Sequence, residues 1–310
     1  MRKSIALMIQ HFGTEKPDST AFIANDEICT YGELARCSRQ TARYLQKQGI
    51  CPGDRVIVEA DHVMPYIYFW YGLQLLGATF VPVEKDTPSN RILEIAEELQ
   101  TSYMVTLHPR EDLSQAWALL EIIKEILIQE DQFEPIDPDP DSLAEILFTT
   151  GTTGKSKGVM VSYANQVNIA LAGIETTNIR CDDVWLIPTP MNHAAGLRKA
   201  HICMAVGCAV CLLEGFRNFK KYFQTIRDHK VTALYLPPSA IHLLLAVASK
   251  NLEELKDQLH FIYSSSAAYP ETDKEKMRKL LPNVYMYNCF GSSEVGVACT
   301  DEFCVSGGSQ

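Results

Sequence analysis

Short apolar runs rich in β-branched residues alternate with segments of helical periodicity along most of this 310-residue chain, and that alternation limits the fold more than any single residue. Strands are expected at 54–60, 78–83 and 103–106, then at 184–187, 209–213, 232–236, 260–263 and 284–287. Helices are expected at 33–48, where Gly49 supplies a left-handed stop, and at 64–76, 90–100, 219–229 and 239–249. Strands separated by helices pair in parallel and need helices on their faces. The expectation is an α/β fold with mainly parallel sheets covered by helices. With 46% hydrophobic residues, a chain of this length can bury a large core in one large or two fused domains.

Between these halves, 129–142 carries Glu130, Asp131, Glu134, Asp137, Asp139 and Asp141 with three prolines, the composition of an exposed acidic connector rather than a metal site. The formal charge of −10 and pI near 5.3, with no basic stripe, argue against nucleic acid. The longest apolar run, 205–213, is far short of a membrane span. The start of the chain, Met1-Arg2-Lys3-Ser4 followed by an apolar run, ends in Gln10-His11 without a cleavage site, unlike a signal peptide. The ten cysteines form no compact framework. Cys208-Ala209-Val210-Cys211 has redox or metal spacing, but it lies in an apolar strand-like run with no second pair. A reducing cytoplasm is the expected setting.

The chemistry is concentrated in Thr149-Thr150-Gly151-Thr152-Thr153-Gly154-Lys155-Ser156-Lys157-Gly158, between strand-like runs at 143–148 and 159–161. Glycines allow close backbone approach, and threonine hydroxyls with two lysines can meet phosphate oxygens. A P-loop needs a glycine where Thr149 stands and a helix directly afterwards. Here a β-branched run follows. A polar hairpin turn would not need so many threonines and lysines.

The run resembles the glycine- and threonine-rich signature of the AMP-forming adenylate synthetases: acyl-CoA synthetases, luciferases and peptide-synthetase adenylation domains. Ser156 stands where that pattern usually has proline. Thr30-Tyr31-Gly32-Glu33-Leu34 and Leu76-Gly77-Ala78-Thr79-Phe80-Val81-Pro82-Val83 resemble further blocks of the family. The resemblance implies two stacked α/β subdomains, expected here at 1–140 and 141–310 with interleaving of chain order allowed. It implies ATP, Mg²⁺ and a thiol acceptor, either coenzyme A or a carrier-bound phosphopantetheine, with an acyl or peptidyl carrier protein as candidate partner. Thr149, Thr150, Gly151, Thr152, Thr153, Gly154 and Lys155 would bind the nucleotide, and Lys157 would help hold the leaving pyrophosphate.

Asn288-Cys289-Phe290-Gly291-Ser292-Ser293-Glu294 resembles the block that places an aromatic ring on adenine and a glutamate on Mg²⁺. Phe290 takes the stacking role with phenylalanine for the commoner tyrosine, Ser293 approaches the α-phosphate, and Glu294 binds the metal. Asn288, Cys289 and Gly291 complete the nucleotide wall. Ser266, Ala267 and Ala268 fall where the family lays adenine against the backbone, although glycine is usual at Ser266 and Ala267. Asn192-His193 with Gly196 resembles the block beside the carboxylate pocket, with His193 facing the acid. That pair offers no carboxylate for an ammonium group, so a plain carboxylic acid is expected over an α-amino acid. The ribose-binding aspartate and the terminal catalytic lysine have no counterpart before Gln310. The chain is therefore expected to be a truncated N-terminal core, lacking the β-barrel and mobile C-terminal domain and poorly active alone. The alternatives are an amino-acid adenylation domain of a peptide synthetase and a non-catalytic nucleotide-binding fragment.

Overall fold

Side chains on successive strand residues point to opposite faces of a sheet, and here both faces are apolar, so each sheet must be covered twice. In this computed structural model, residues 4–149, 157–216, 218–293 and 296–302 are described. The chain begins with α1 (Ile5–Glu15), the hairpin β1 (Thr20–Ala24) and β2 (Glu27–Thr30), and α2 (Tyr31–Lys47). It continues through β3 (Arg55–Glu59), α3 (Met64–Leu75), β4 (Thr79–Val83), α4 (Ser89–Leu99), β5 (Met104–Thr106), β6 (Trp117–Ala118) and α5 (Leu119–Leu127). Then come β7 (Leu143–Thr149), β8 (Lys157–Ser162), α6 (Tyr163–Glu175), β9 (Val184–Ile187), α7 (Ala194–Val206), β10 (Ala209–Leu212) and α8 (Phe219–Asp228). The last described elements are β11 (Ala233–Tyr235), α9 (Pro238–Val247), α10 (Ser249–Glu253), β12 (Phe261–Ser265), α11 (Glu271–Leu280), β13 (Tyr285–Ser292) and β14 (Gly296–Glu302).

The strands form an eight-stranded sheet, ordered β14-β13-β12-β11-β9-β10-β1-β2, and a six-stranded sheet, ordered β6-β5-β3-β4-β7-β8. Pairing is parallel except in the edge hairpins β1/β2, β13/β14 and β7/β8. The expected boundary at 140/141 falls between β6 and β7, which share the six-stranded sheet, while β1 and β2 join the other sheet; the chain interleaves.

Alternation explains the layering. Val56, Val58, Phe80 and Leu147 of one sheet and Phe22, Trp185, Val210, Phe261 and Tyr263 of the other enter one shared core. Helices α1, α2, α3, α5, α6 and α7 fill that central space. The residues between them in sequence face outward. Ile57, Val81 and Ile146 pack under α4, and Ile23, Leu186, Cys211, Leu234 and Ile262 pack under α8, α9 and α11. Helix α3 lies in the middle and is buried on all sides, as a helix apolar all round must be.

Several expectations are adjusted. Helix α1, absent from the sequence reading, is capped by Ser4, whose hydroxyl accepts from the Leu7 amide at 3.2 Å, and buries Ile5 and Ile9. The acidic connector is tied down at one end: Arg39 pairs with Asp131 at 2.9 Å and Arg43 with Glu130 at 3.3 Å. The strand expected at 284–287 runs on to Ser292, because β14 pairs antiparallel along it. Cys208 and Cys211 are buried free thiols assigned to different cores, the central one and the outer one, which removes them as a redox or metal pair. Among the described residues no helix is long and apolar enough to cross a membrane.

Candidate active site

The order of the eight-stranded sheet reverses at β9, whose neighbours are β10 and β11. Parallel sheets open a crevice beyond the carboxyl ends of the strands at such a point. A cavity of about 190 Å³ lies on this side of the sheet, between the helix that follows β9 and the carboxyl ends of β12 and β13. Its walls come from Ala194, Ala195, Arg198 and Lys199 of α7, Tyr263, Ser265 and Ser266 at the end of β12, and Cys289 and Gly291 to Ser293 at the end of β13. Ile169, Ile202 and Gly296 complete it.

The elements reach this place for local reasons. Gly196 lets the first turn of α7 press onto the preceding segment, since a β-carbon there would lie 2.9 Å from the Pro190 carbonyl oxygen. Gly296 has φ of +72°, and a β-carbon on it would fall 2.8 Å from Ile169. Glycine alone accepts both conditions. Ser266 also takes a positive φ, +82°, the conformation for which glycine is favoured. Its hydroxyl lies 3.2 Å from the Tyr235 hydroxyl, and that of Ser265 lies 3.1 Å from the same oxygen.

Behind the cavity is a buried polar cluster. Glu145 on β7 accepts from Arg198 Nη1 at 3.1 Å and from Gln166 Nε2 at 3.3 Å, and its other contact is His201 Nε2 at 3.2 Å. Burial acts to raise the Glu145 carboxyl, but His201 and Arg198 outweigh it and hold the group below its ordinary value. Arg198 Nη2 also donates to the Ser293 carbonyl at 3.1 Å. One guanidinium thus links the six-stranded sheet, α7 and the β13–β14 turn.

Lys199 has no such neutral arrangement. Its ammonium sits 4.2 Å from the ring centre of Tyr235 and 4.8 Å from that of Tyr263. Burial lowers its pKa to about 7; Cys289 opposes this, and Arg198 adds a smaller push in the same direction as burial.

The residues singled out in the sequence fall into groups. Ser266, Gly291, Cys289 and Ser293 meet at the cavity. Phe290 alternates outward and is 73% exposed beside it. Ala267 and Ala268 are exposed on the segment after β12, and Asn288 is half-buried with its amide oxygen unpaired among the described residues. His193 is the exposed N-cap residue of α7; its neighbours Ala194 and Ala195 reach the cavity. Thr149 and Lys157 face each other as the last pair of the β7/β8 hairpin, with Lys157 exposed. A strand, not a helix, follows the loop, as the rejection of a P-loop requires. Thr150, Gly151, Thr152, Thr153, Gly154, Lys155 and Glu294 lie outside the described residues. Sequence reasoning missed Glu145, Arg198 and Lys199. The available signal was charge without a polar face: Leu197-Arg198-Lys199-Ala200-His201 inside an apolar helix, and Glu145 alone in an apolar strand.

Similarity agrees with this geometry. The AMP-binding enzyme family profile matches residues 9–308. Tyrocidine synthase 2 of Brevibacillus parabrevis is 26% identical over 92% of this chain and 8% of its own length. 4-coumarate–CoA ligase 1 of Solanum tuberosum is 25% identical over 88% of this chain and 54% of its own. This chain therefore spans only part of these relatives. Among solved structures, the Klebsiella oxytoca NpsA N-terminal subdomain in complex with 3-hydroxybenzoyl-AMSN superposes with a TM-score of 0.85 at 19% identity, covering 97% of this chain and 76% of that one. The two-sheet α/β architecture is shared with that subdomain, and the chain belongs to the AMP-binding enzyme family.

Proposed function

We propose that this protein contributes the nucleotide and acid sites of an ATP-dependent acid:thiol ligase. A carboxylate oxygen attacks the α-phosphorus of ATP, the bond to the β-phosphate oxygen breaks, and pyrophosphate leaves. A thiol, of coenzyme A or of a carrier phosphopantetheine, then attacks the acyl carbon and releases AMP. The observation that carries the reading is the cavity at the strand ends. It joins the small-residue end of β12, the β13 end beside the exposed Phe290 ring, and the start of α7.

In this reading the Phe290 face receives adenine, and Ser266 to Ala268 form the flat bed against it. The run 149–157, rich in threonine and glycine and ending at Lys157, would offer donors to the β- and γ-phosphates. Arg198 holds the Ser293 carbonyl, one residue before Glu294 in the sequence. Magnesium bound through phosphate oxygens needs few protein ligands; Glu294 would hold it, and the ion would neutralise phosphate charge. A plain acid is favoured over an α-amino acid because no carboxylate lines the cavity among the described residues, whereas Arg198 and Lys199 do; an ammonium group would meet cations there. Relatives named as synthases and as CoA ligases leave both thiols as candidate acceptors. Free exposed thiols at Cys51 and Cys181 suit a reducing compartment such as the cytoplasm.

The test is acid-dependent ATP–pyrophosphate exchange by the intact protein, screened over aliphatic, aromatic and amino acids. Glu294→Gln is expected to lower the rate about 10²-fold or more. An unchanged rate would remove Glu294 from the mechanism.

A further inference from the structure

Lys199 is 5% exposed and lines the cavity. Among the described residues no carboxylate or carbonyl oxygen lies within hydrogen-bonding distance of it. Its neighbour Arg198 is already matched by Glu145. The two buried cations are thus differently served, one paired within the protein and one turned to the empty space. Two tyrosine faces stabilise an ammonium, but they do not replace the hydrogen bonds lost on leaving water. A buried lysine of this kind is relieved either by losing its proton or by pairing with an anion that enters the cavity.

Its depth says where that anion belongs. Tyr263, over which Lys199 lies, is two residues before Ser265 along β12, which places it about 6–7 Å below the strand end. The strand end is where the reacting carboxylate meets the nucleotide in the reading above. Ile169 and Ile202 line the cavity as apolar wall, suited to the methylenes between two polar ends.

We propose that Lys199 recognises a second carboxylate at the far end of the acid, so that the protein activates a short dicarboxylic acid of about four to six carbons at one end and holds the other. This rests on the adenylation reading. Burial leaves the empty-site ammonium easily deprotonated, and a bound carboxylate would favour its charged form. The other carboxyl would be excluded from reaction by the same contact, giving activation at one end only.

The experiment uses non-reactive acyl-sulfamoyl adenosines in length-matched pairs: butanoyl against succinyl, pentanoyl against glutaryl, hexanoyl against adipoyl. Dissociation constants are measured calorimetrically on the wild-type protein and on Lys199→Met. The expected result is a preference of tenfold or more for the carboxyl-bearing member of at least one pair, lost or reversed in Lys199→Met. Equal or tighter binding of the neutral member at every length would overturn the inference and leave the adenylation reading standing. A preference that survives Lys199→Met would overturn the role of Lys199. Failure of every probe to bind, neutral ones included, would overturn the adenylate-binding reading and this inference with it. The wild-type comparison stands without any variant.

Discussion

Lys199 carries a stability cost that depends on pH. Its folded-state pKa is lowered to about 7, chiefly by burial, against 10.5 for the unperturbed group. Between these values the unfolded chain binds a proton that the folded chain does not, so stability rises with pH across that window. Below about pH 7 both states are protonated and the full penalty applies. The groups facing it are Arg198, Cys289, Tyr235 and Tyr263. Other residues titrate in the same range, so the difference between proteins is the useful quantity. Lys199→Met should be more stable than wild type by about 2 kcal/mol or more at pH 6, with the gap narrowing toward pH 10. Urea unfolding at several pH values measures it; a gap independent of pH would mean that the ammonium is not desolvated. At this scale the sequence was partly readable. Ser266 and Phe290 could be picked out as members of motifs, and Ser266 indeed occupies a glycine-like conformation. Lys199 could not, because whether a charged residue on an apolar helix faces a cavity or another element depends on how the helix is docked.

At the scale of elements, α2 and α3 pack closely along their length. A β-carbon on Gly72 would lie 2.6 Å from both Cβ and Cγ2 of Thr41 and 3.1 Å from the Ser38 carbonyl oxygen. Thr41 cannot step aside easily: its hydroxyl donates to the Cys37 carbonyl at 2.8 Å, and it is fully buried. The helices must separate or Thr41 must leave its rotamer. Gly72→Ala is therefore expected to cost about 2–3 kcal/mol despite the better helix propensity of alanine. A lowered urea midpoint with an unchanged slope would register it. An unchanged midpoint would contradict the packing distance. Most elements were legible because their periodicities are long and their caps conventional, as with Gly49 after α2. The β1/β2 hairpin was not, since Thr20 to Thr30 is short and broken by Asn25-Asp26, both at positive φ. Helix α1 was hidden because its apolar run is short and its burial of Ile5 and Ile9 is a tertiary property.

For the whole molecule, sheet membership is the part that sequence could not supply. Strands β1 and β2 cross to the eight-stranded sheet and β7 and β8 to the six-stranded one, so both halves of the chain build both layers. That interleaving is a tertiary property: the inner strands of both sheets have two apolar faces, and nothing in a strand's own residues names its neighbour. It also has a consequence for the site. Glu145 from one sheet and Arg198, resting on the other, lock the two together directly behind the cavity, coupling the loop-bearing hairpin to the turn before Glu294. In the proposed function this assembly joins an acid to AMP before a thiol takes the acyl group. Oxygen tracing tests it most directly. The intact protein is supplied with ATP, thiol and the acid that best supports pyrophosphate exchange, its carboxylate labelled with ¹⁸O. If the carboxylate attacks the α-phosphorus and the thiol later attacks carbon, the released AMP carries one ¹⁸O atom. Unlabelled AMP, or ¹⁸O in inorganic phosphate with ADP as the nucleotide product, would contradict the account.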